Sequence, residues 1–172
     1  FKRGANVQGA STITQQYAKN LFLTFDKTWE RKIQEAWLTI RLESHYSKNE
    51  ILEGYLNTIN YGGIFGIENA SLYYFNKSSK DLSLAEASIL AGIPKSPTYY
   101  NPISNYDNAK SRQRDILSAM VENKYISKEQ MDEAYNEQLV FYGENPSNNI
   151  SSLMYYQDAV IDCLLYTSDA AD

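Results

Sequence analysis

Cationic, amide and carboxylate side chains crowd the first third of this 172-residue chain. In the segment QGASTITQQYAKN, residues 8–20, a glycine turn leads into the adjacent hydroxyls Ser11 and Thr12, the amides Gln15 and Gln16, and then Lys19 with Asn20 one turn later. A helix N-terminus with free backbone amides and a nearby lysine attracts an anion such as phosphate. The same residues also describe a well-capped amphipathic helix, because Ser and Thr cap helices generally. In KTWERKIQEAW, Lys27, Arg31, Lys32 and Glu35 fall within about two helical turns. Arg31 and Glu35 lie four apart and could form a surface ion pair, although the cation precedes the anion, which is the weaker order. The other reading is a mixed site in which cations hold phosphate and a carboxylate orients a hydroxyl. In SKNEILEGYLNTINYG, Lys48, Glu53, Tyr55 and Asn57 share one helix with an apolar stripe of Ile51, Leu52, Tyr55 and Leu56. Glu53 and Asn57 are its polar exceptions, either hydrogen-bonded within the packing or functional.

Positioning these residues is a task for helices. Ser47/Glu50, Ser83/Glu86 and Ser127/Gln130 each pair a side-chain cap with a reciprocal acceptor three residues on, and Thr12/Gln15 repeats the pattern. After Thr12, the residues Ile13, Tyr17 and Leu21 recur every four positions and predict one buried stripe. A longer helix is expected over residues 28–46, with Ile33, Trp37, Ile40 and Ser44 on its stripe. Gly62 and Gly63, residues 94–102 and residues 145–152 are loop signals, and KSPTYYNP is expected as an exposed connection. Strand-like alternation is scarce and no internal repeat is evident. The expectation is a mostly α-helical domain of six to eight helices.

With 43% of its residues apolar or aromatic, the chain can build a real core. Fifteen tyrosines and two tryptophans suit a groove or a membrane-facing surface as well as a core. A net charge of -5 argues against a nucleic-acid partner, whose phosphates would call for a basic face. The charge is uneven: residues 1–32 hold six Lys or Arg against two acids, a balance of +4, and the remainder balances at -9. A basic segment in an acidic protein fits an anionic ligand or lipid headgroups, and equally a solvated surface. The single cysteine, Cys163, cannot form an intramolecular disulfide and is given no chemical role. No run reaches the roughly 20 apolar residues of a membrane-spanning helix. The first residue is Phe1 rather than methionine, so an anchor or signal is expected upstream.

GASTITQQ with the following Lys-Asn, RKIQE, KNEILEGYLN and RQRDIL resemble, in order and spacing, four of the five motifs of family 51 glycosyltransferases. These are the glycan-polymerising domains of class A penicillin-binding proteins and monofunctional transglycosylases. The resemblance runs from about residue 8 to 143. It implies an all-α, lysozyme-like multi-helix domain at the outer face of the bacterial cytoplasmic membrane. It also implies that lipid II and the growing glycan chain are the substrates, joined with inversion at the anomeric carbon, in company with the membrane surface and a cell-wall synthesis complex.

On the family's pattern, Lys19, Lys27, Arg31 and Lys32 would clamp the phosphates of the departing lipid pyrophosphate. Glu35 matches the second, supporting glutamate; Glu35 and Lys32 are the catalytic candidates. Ser11, Thr12, Gln15, Gln16, Asn20, Glu53 and Asn57 would serve substrate binding. A divalent cation could assist pyrophosphate departure, but no ligand cluster is visible. The cluster of Lys19, Lys27, Arg31 and Lys32 speaks against the main alternative, a glycan-cleaving hydrolase; a non-catalytic helical module binding lipid-linked precursor or a partner is the other.

Two departures from the family stand out. Its opening motif, E-D-x-x-F followed by a His, carries the general-base glutamate and precedes STITQQ, so the chain as given is expected not to polymerise. His45 sits in the wrong motif to be that histidine and reads as an exposed helix-end residue. Where the last motif shows two adjacent arginines, this chain has Arg112 followed by Gln113, and Arg112 is expected to brace the fold by pairing with acids. The apolar run Leu21-Phe22-Leu23 with Phe25 occupies more than one helical face and matches a region that dips into the membrane in the family. The organisation expected is a partial glycosyltransferase domain over 1–143, a linker or the start of a following region over 144–160, and a read-through tail over 161–172 ending CLLYTSDAAD.

Overall fold

The computed structural model describes residues 12–22 and 29–143, except the side chains of Phe22 and residues 29–31. Seven α-helices carry the described chain: α1 (Ile13–Phe22), α2 (Trp29–His45), α3 (Lys48–Thr58), α4 (Ile67–Phe75), α5 (Leu84–Gly92), α6 (Tyr106–Glu122) and α7 (Lys128–Asn136). Two short 3-10 turns, Ser79–Asp81 and Ile93–Lys95, flank α5. Among the described residues no strand forms; one bridge pairs Asn60 with Phe65 across the glycine turn.

Side-chain caps set where the helices begin. Ser47, Ser83 and Ser127 each accept a hydrogen bond from the amide three residues on, and the side-chain oxygens of Glu50, Glu86 and Gln130 accept one from the cap amide. At α1 the Thr12 hydroxyl accepts from the Gln15 amide at 3.2 Å, and the Thr12 amide donates to Gln15 Oε1 at 3.0 Å. Each such cap is worth about 1 kcal/mol, because it satisfies donors that the helix cannot pair internally.

The core divides into a scaffold and a smaller front cluster. In the scaffold Ile59, Tyr61, Ala70, Tyr74, Phe75, Leu90 and Ile93 pack together, and Ala85, Leu117 and Ala134 join α5, α6 and α7. The Tyr74 hydroxyl donates to Tyr61 O at 2.8 Å, and burial together with neighbouring Tyr73 pushes that phenol up to about 12. Gly62 permits this approach: its φ is +84°, and a Cβ there would meet the Tyr74 hydroxyl at 2.7 Å. Between α5 and α6, Gln113 is fully buried and donates to Ala85 O and Ser88 Oγ at 2.9 and 3.1 Å. At the same contact the Arg112 stem lies on Gly92, while its guanidinium pairs with Asp115 of its own helix at 3.6 Å.

The front cluster is Ala18, Leu42 and Ile51, with Tyr17 and Leu38 packed against it. It joins α1, α2 and α3 and corrects three expected stripes. On α1 the buried positions are Thr14 and Ala18, while Ile13 is exposed. On α2 the buried positions are Glu35, Thr39 and Leu42, whereas Ile33, Trp37 and Ile40 are 70%, 57% and 69% exposed and Ser44 is also exposed. On α3, Ile51 is buried and Leu52 is exposed. The error on α2 has a physical cause: a period of 3.6 fits two faces of that helix, and the buried one is mixed in polarity. The KSPTYYNP connection is only partly exposed, because Pro102 is buried.

Candidate active site

Every candidate residue that the structure describes lies on α1, α2 or α3, or on the residue that caps α1. Thr12 and Gln15 close the reciprocal cap of α1, so the Gln15 amide proton and carbonyl oxygen are engaged at the helix start. The helix N-terminus therefore offers fewer free amides to an anion than the sequence suggested. Lys19 and Asn20 stand exposed at the other end of the helix, and Gln16 is exposed beside α3. Gln16 Oε1 accepts a hydrogen bond from the Tyr55 hydroxyl at 3.1 Å, across 39 residues of sequence.

Glu35 is 3% exposed, and Lys32 reaches its carboxylate at 2.6 Å. Lys32 stands three residues before Glu35 on α2; the Arg31 side chain, four residues before it, lies outside the description. Because the Lys32 side chain is 52% exposed, its head meets a buried carboxylate on one side and solvent on the other. A buried carboxylate that keeps its ion pair avoids the heavy penalty of an unpaired charge in a poorly solvated place. The same α2 turn is held by Thr39, whose hydroxyl donates to Glu35 O at 2.7 Å.

Glu53 is exposed on α3, and Asn57 is half-buried near the helix end. Gly66 packs on that end: with φ +85°, it brings the space a Cβ would fill to 2.8 Å from Asn57 O. Gly54 does the same for the α1–α3 contact, since a Cβ there would lie 2.5 Å from Tyr17 Cζ. Burial raises the Tyr17 and Tyr55 phenols, with Tyr46 adding to Tyr17, so both remain hydrogen-bond donors at neutral pH.

Of the remaining candidates, Ser11 and Lys27 lie outside the described residues, and Arg31 has its backbone in α2 with its side chain outside the description. Leu23, Phe25 and Cys163, and the expected regions 144–160 and 161–172, also lie outside it. His45 is exposed at the end of α2, its Nδ1 at 2.9 Å from Arg41 O, as a helix-end residue should be. Sequence reasoning missed the role of Tyr55 as a bridge because the residue reads as apolar stripe; its hydroxyl was the available signal. A shallow cavity of about 490 Å³ between α5 and α7 is lined by Leu84, Gln130, Glu133, Ala134, Asn136 and Glu137, none of them candidates. Among the described residues no cluster of three or more His, Cys, Asp or Glu could hold a metal ion, and no helix is long and apolar enough to cross a membrane.

The family model described as Transglycosylase matches residues 1–121, and the chain belongs to this family. Over 159 residues it is 53% identical to penicillin-binding protein 2D of Bacillus subtilis (strain 168), covering 92% of this chain and 23% of that protein. It is 48% identical to penicillin-binding protein 1A of Aquifex aeolicus (strain VF5) over 146 residues, 84% of this chain and 20% of that protein. The crystal structure of penicillin-binding protein 1A from Haemophilus influenzae superimposes with a TM-score of 0.53 at 27% identity, covering 92% of this chain and 21% of that one. The expected all-α, lysozyme-like multi-helix architecture is borne out. The chain spans less than a quarter of the length of these relatives.

Proposed function

We propose that the chain is part of a peptidoglycan glycosyltransferase, which polymerises lipid II disaccharides into glycan strands at the outer face of the bacterial cytoplasmic membrane. The single observation that carries this reading is the buried Glu35 carboxylate held by half-exposed Lys32, on a helix packed against the helix bearing Lys19. Membership of the transglycosylase family supports it.

In this reading the 4-hydroxyl of the acceptor sugar attacks the anomeric carbon of the growing chain from the face opposite the lipid pyrophosphate. A new C–O bond forms as the bond to pyrophosphate breaks, and the configuration inverts. The hydroxyl proton passes to a general base, which in the family is a glutamate of the opening motif; no described residue is assigned that part. Lys19 and Lys32, with Lys27 and Arg31, hold the phosphate oxygens as negative charge gathers on the leaving group. Glu35 holds the Lys32 ammonium in place at 2.6 Å. Thr12, Gln15, Gln16, Asn20, Glu53 and Asn57, with Ser11, supply polar contacts to the sugars and phosphates. A divalent cation would assist pyrophosphate departure by offsetting the charge that gathers on the leaving group. Other cell-wall synthesis proteins are the natural partners of such an enzyme.

Binding tests this surface without requiring a general base. Lipid II in detergent micelles, titrated against the chain, is expected to bind. Lys19→Ala and Lys32→Ala should each weaken binding by about tenfold or more, as loss of a charge-assisted hydrogen bond implies. Lys80→Ala, on the 3-10 turn before α5, should bind as the parent does. Absence of binding, or equal binding by all four proteins, sinks the reading.

A further inference from the structure

The family match stops at residue 121, but the chain does not leave the scaffold there. Helix α7 packs through Ala134 on Ala85 of α5 and Leu117 of α6. Lys110 on α6 donates to Tyr135 O in the last turn of α7 and lies 4.2 Å from the Tyr135 ring centre, so one side chain caps that helix end and holds it on α6. Just past the end, Glu137 Oε1 accepts from the Ser83 hydroxyl at the start of α5, at 2.9 Å.

In the residues after α7, burial alternates as it does along an extended chain. Leu139 and Phe141 are half-buried against the core, while Val140 and Tyr142 are 67% and 57% exposed. Leu139 packs against both scaffold clusters. The Phe141 ring meets those of Phe75, Tyr106 and Tyr74 at centre distances of 5.3, 6.2 and 6.5 Å. The backbone is tied as well: the Tyr142 and Gly143 amides donate to Tyr74 O and Tyr73 O, each at 3.0 Å. Those carbonyls belong to the last turn of α4, where the helix cannot pair them internally. Gly143 then turns with φ +69° against Ile103, and a Cβ there would lie 3.0 Å from Ile103 Cδ1. Five consecutive residues thus join the end of α4, the start of α6 and the exit of α7.

We propose that residues 139–143 are a strap that locks the scaffold shut, and that the folding unit of this domain runs through α7 to residue 143 rather than ending with the family match. The strap covers Phe75 and Tyr74 on the seam between α4 and α6, and it supplies the donors that the α4 carbonyls lack. Neither task involves lipid II, so the strap stands or falls apart from the functional reading.

The test uses the full chain and the alternation within the strap. Phe141→Ala removes the inward ring and should lower the melting temperature by about 5 °C or more. Val140→Ala, one position away and facing out, should change it by less than about 2 °C. Failure of Phe141→Ala to fold while Val140→Ala folds is the extreme of the same result; equal melting of the two variants overturns the proposal. Hydrogen exchange reads the strap in the parent chain itself. The Tyr142 and Gly143 amides should exchange at least about a hundredfold more slowly than in an unstructured peptide, in step with the amides of α6. Exchange at the unstructured rate overturns the strap. So does a Phe141→Ala chain in which only the strap amides quicken while α6 and α7 keep their protection, because the scaffold would then hold without it.

Discussion

The two halves of the described molecule are built differently. The scaffold, α4 to α7 with the turns around it, buries Tyr61, Tyr74, Ile89, Leu90, Ile93, Leu117 and Gln113 to below 2% exposure. The half made of α1, α2 and α3 carries every described candidate residue and buries a front cluster of only Ala18, Leu42 and Ile51. It also turns Ile33, Trp37 and Ile40 outward and takes a carboxylate, Glu35, into its packing. Chemistry needs charges near a surface and uncovered polar groups, and these are features that lower packing density. The halves meet through Tyr55, whose ring packs on the scaffold while its hydroxyl reaches α1, and through Gly66 on the end of α3.

The largest effect expected to sharpen this contrast is in the scaffold. Tyr74→Ala removes a fully buried ring, its edge contact with Tyr73 at 4.9 Å and its hydrogen bond to Tyr61 O. It should cost about 3–5 kcal/mol and unfold the domain as a unit in a denaturant titration. Gly54→Ala comes next. The added methyl meets the Tyr17 ring, and overpacking of this kind costs about 1–3 kcal/mol. Its damage should be local: hydrogen exchange should quicken in α1 while α5 and α6 keep their protection. Uniform loss across both halves would show that they are one cooperative unit.

Acid should act on the scaffold through Glu68. The Ser79 hydroxyl and amide both donate to its carboxylate and hold it below the ordinary value of 4.5. A carboxyl with a lower folded than unfolded pKa binds fewer protons when native. Its contribution is therefore complete above that value and is lost as pH falls through the folded pKa. Melting temperature should decline below about pH 4.5, and Ser79→Ala should flatten part of that decline. An unchanged acid slope in Ser79→Ala would remove Glu68 from the account.

The helix starts were legible because capping is local: each cap needs two residues three apart, and all four sequence signals became reciprocal bonds. The motif order was legible too, and it led to the family. Faces were not. Ile33, Trp37 and Ile40 have the spacing of a buried stripe, yet the side of α2 that meets α1 and α3 is Glu35, Thr39 and Leu42, because tertiary contact rather than hydrophobicity chose it. The Lys32–Glu35 pair and the Tyr55–Gln16 bridge were hidden for related reasons. The first sets a half-exposed lysine on a buried carboxylate, and burial of Glu35 depends on tertiary packing that spacing does not show; the second spans 39 positions, far beyond any local pattern.

The smallest expected effect bears most directly on the divided structure. Trp37 and Leu42 sit on one helix, and periodicity favours Trp37 as the core residue, but Trp37 is 57% exposed and Leu42 is 6% exposed. The Arg41 guanidinium lies 5.1 Å from the Trp37 ring centre, a cation–π contact worth about 0.5–1 kcal/mol at an exposed site. Trp37→Ala should therefore cost no more than about 1 kcal/mol, whereas Leu42→Ala should cost about 2–5 kcal/mol. Urea titrations of both variants measure the difference. Equal costs would mean that the outer face of α2 is covered in the folded protein by residues beyond those described, and the contrast between a dense scaffold and a thin site half would shrink to the part of the molecule seen here.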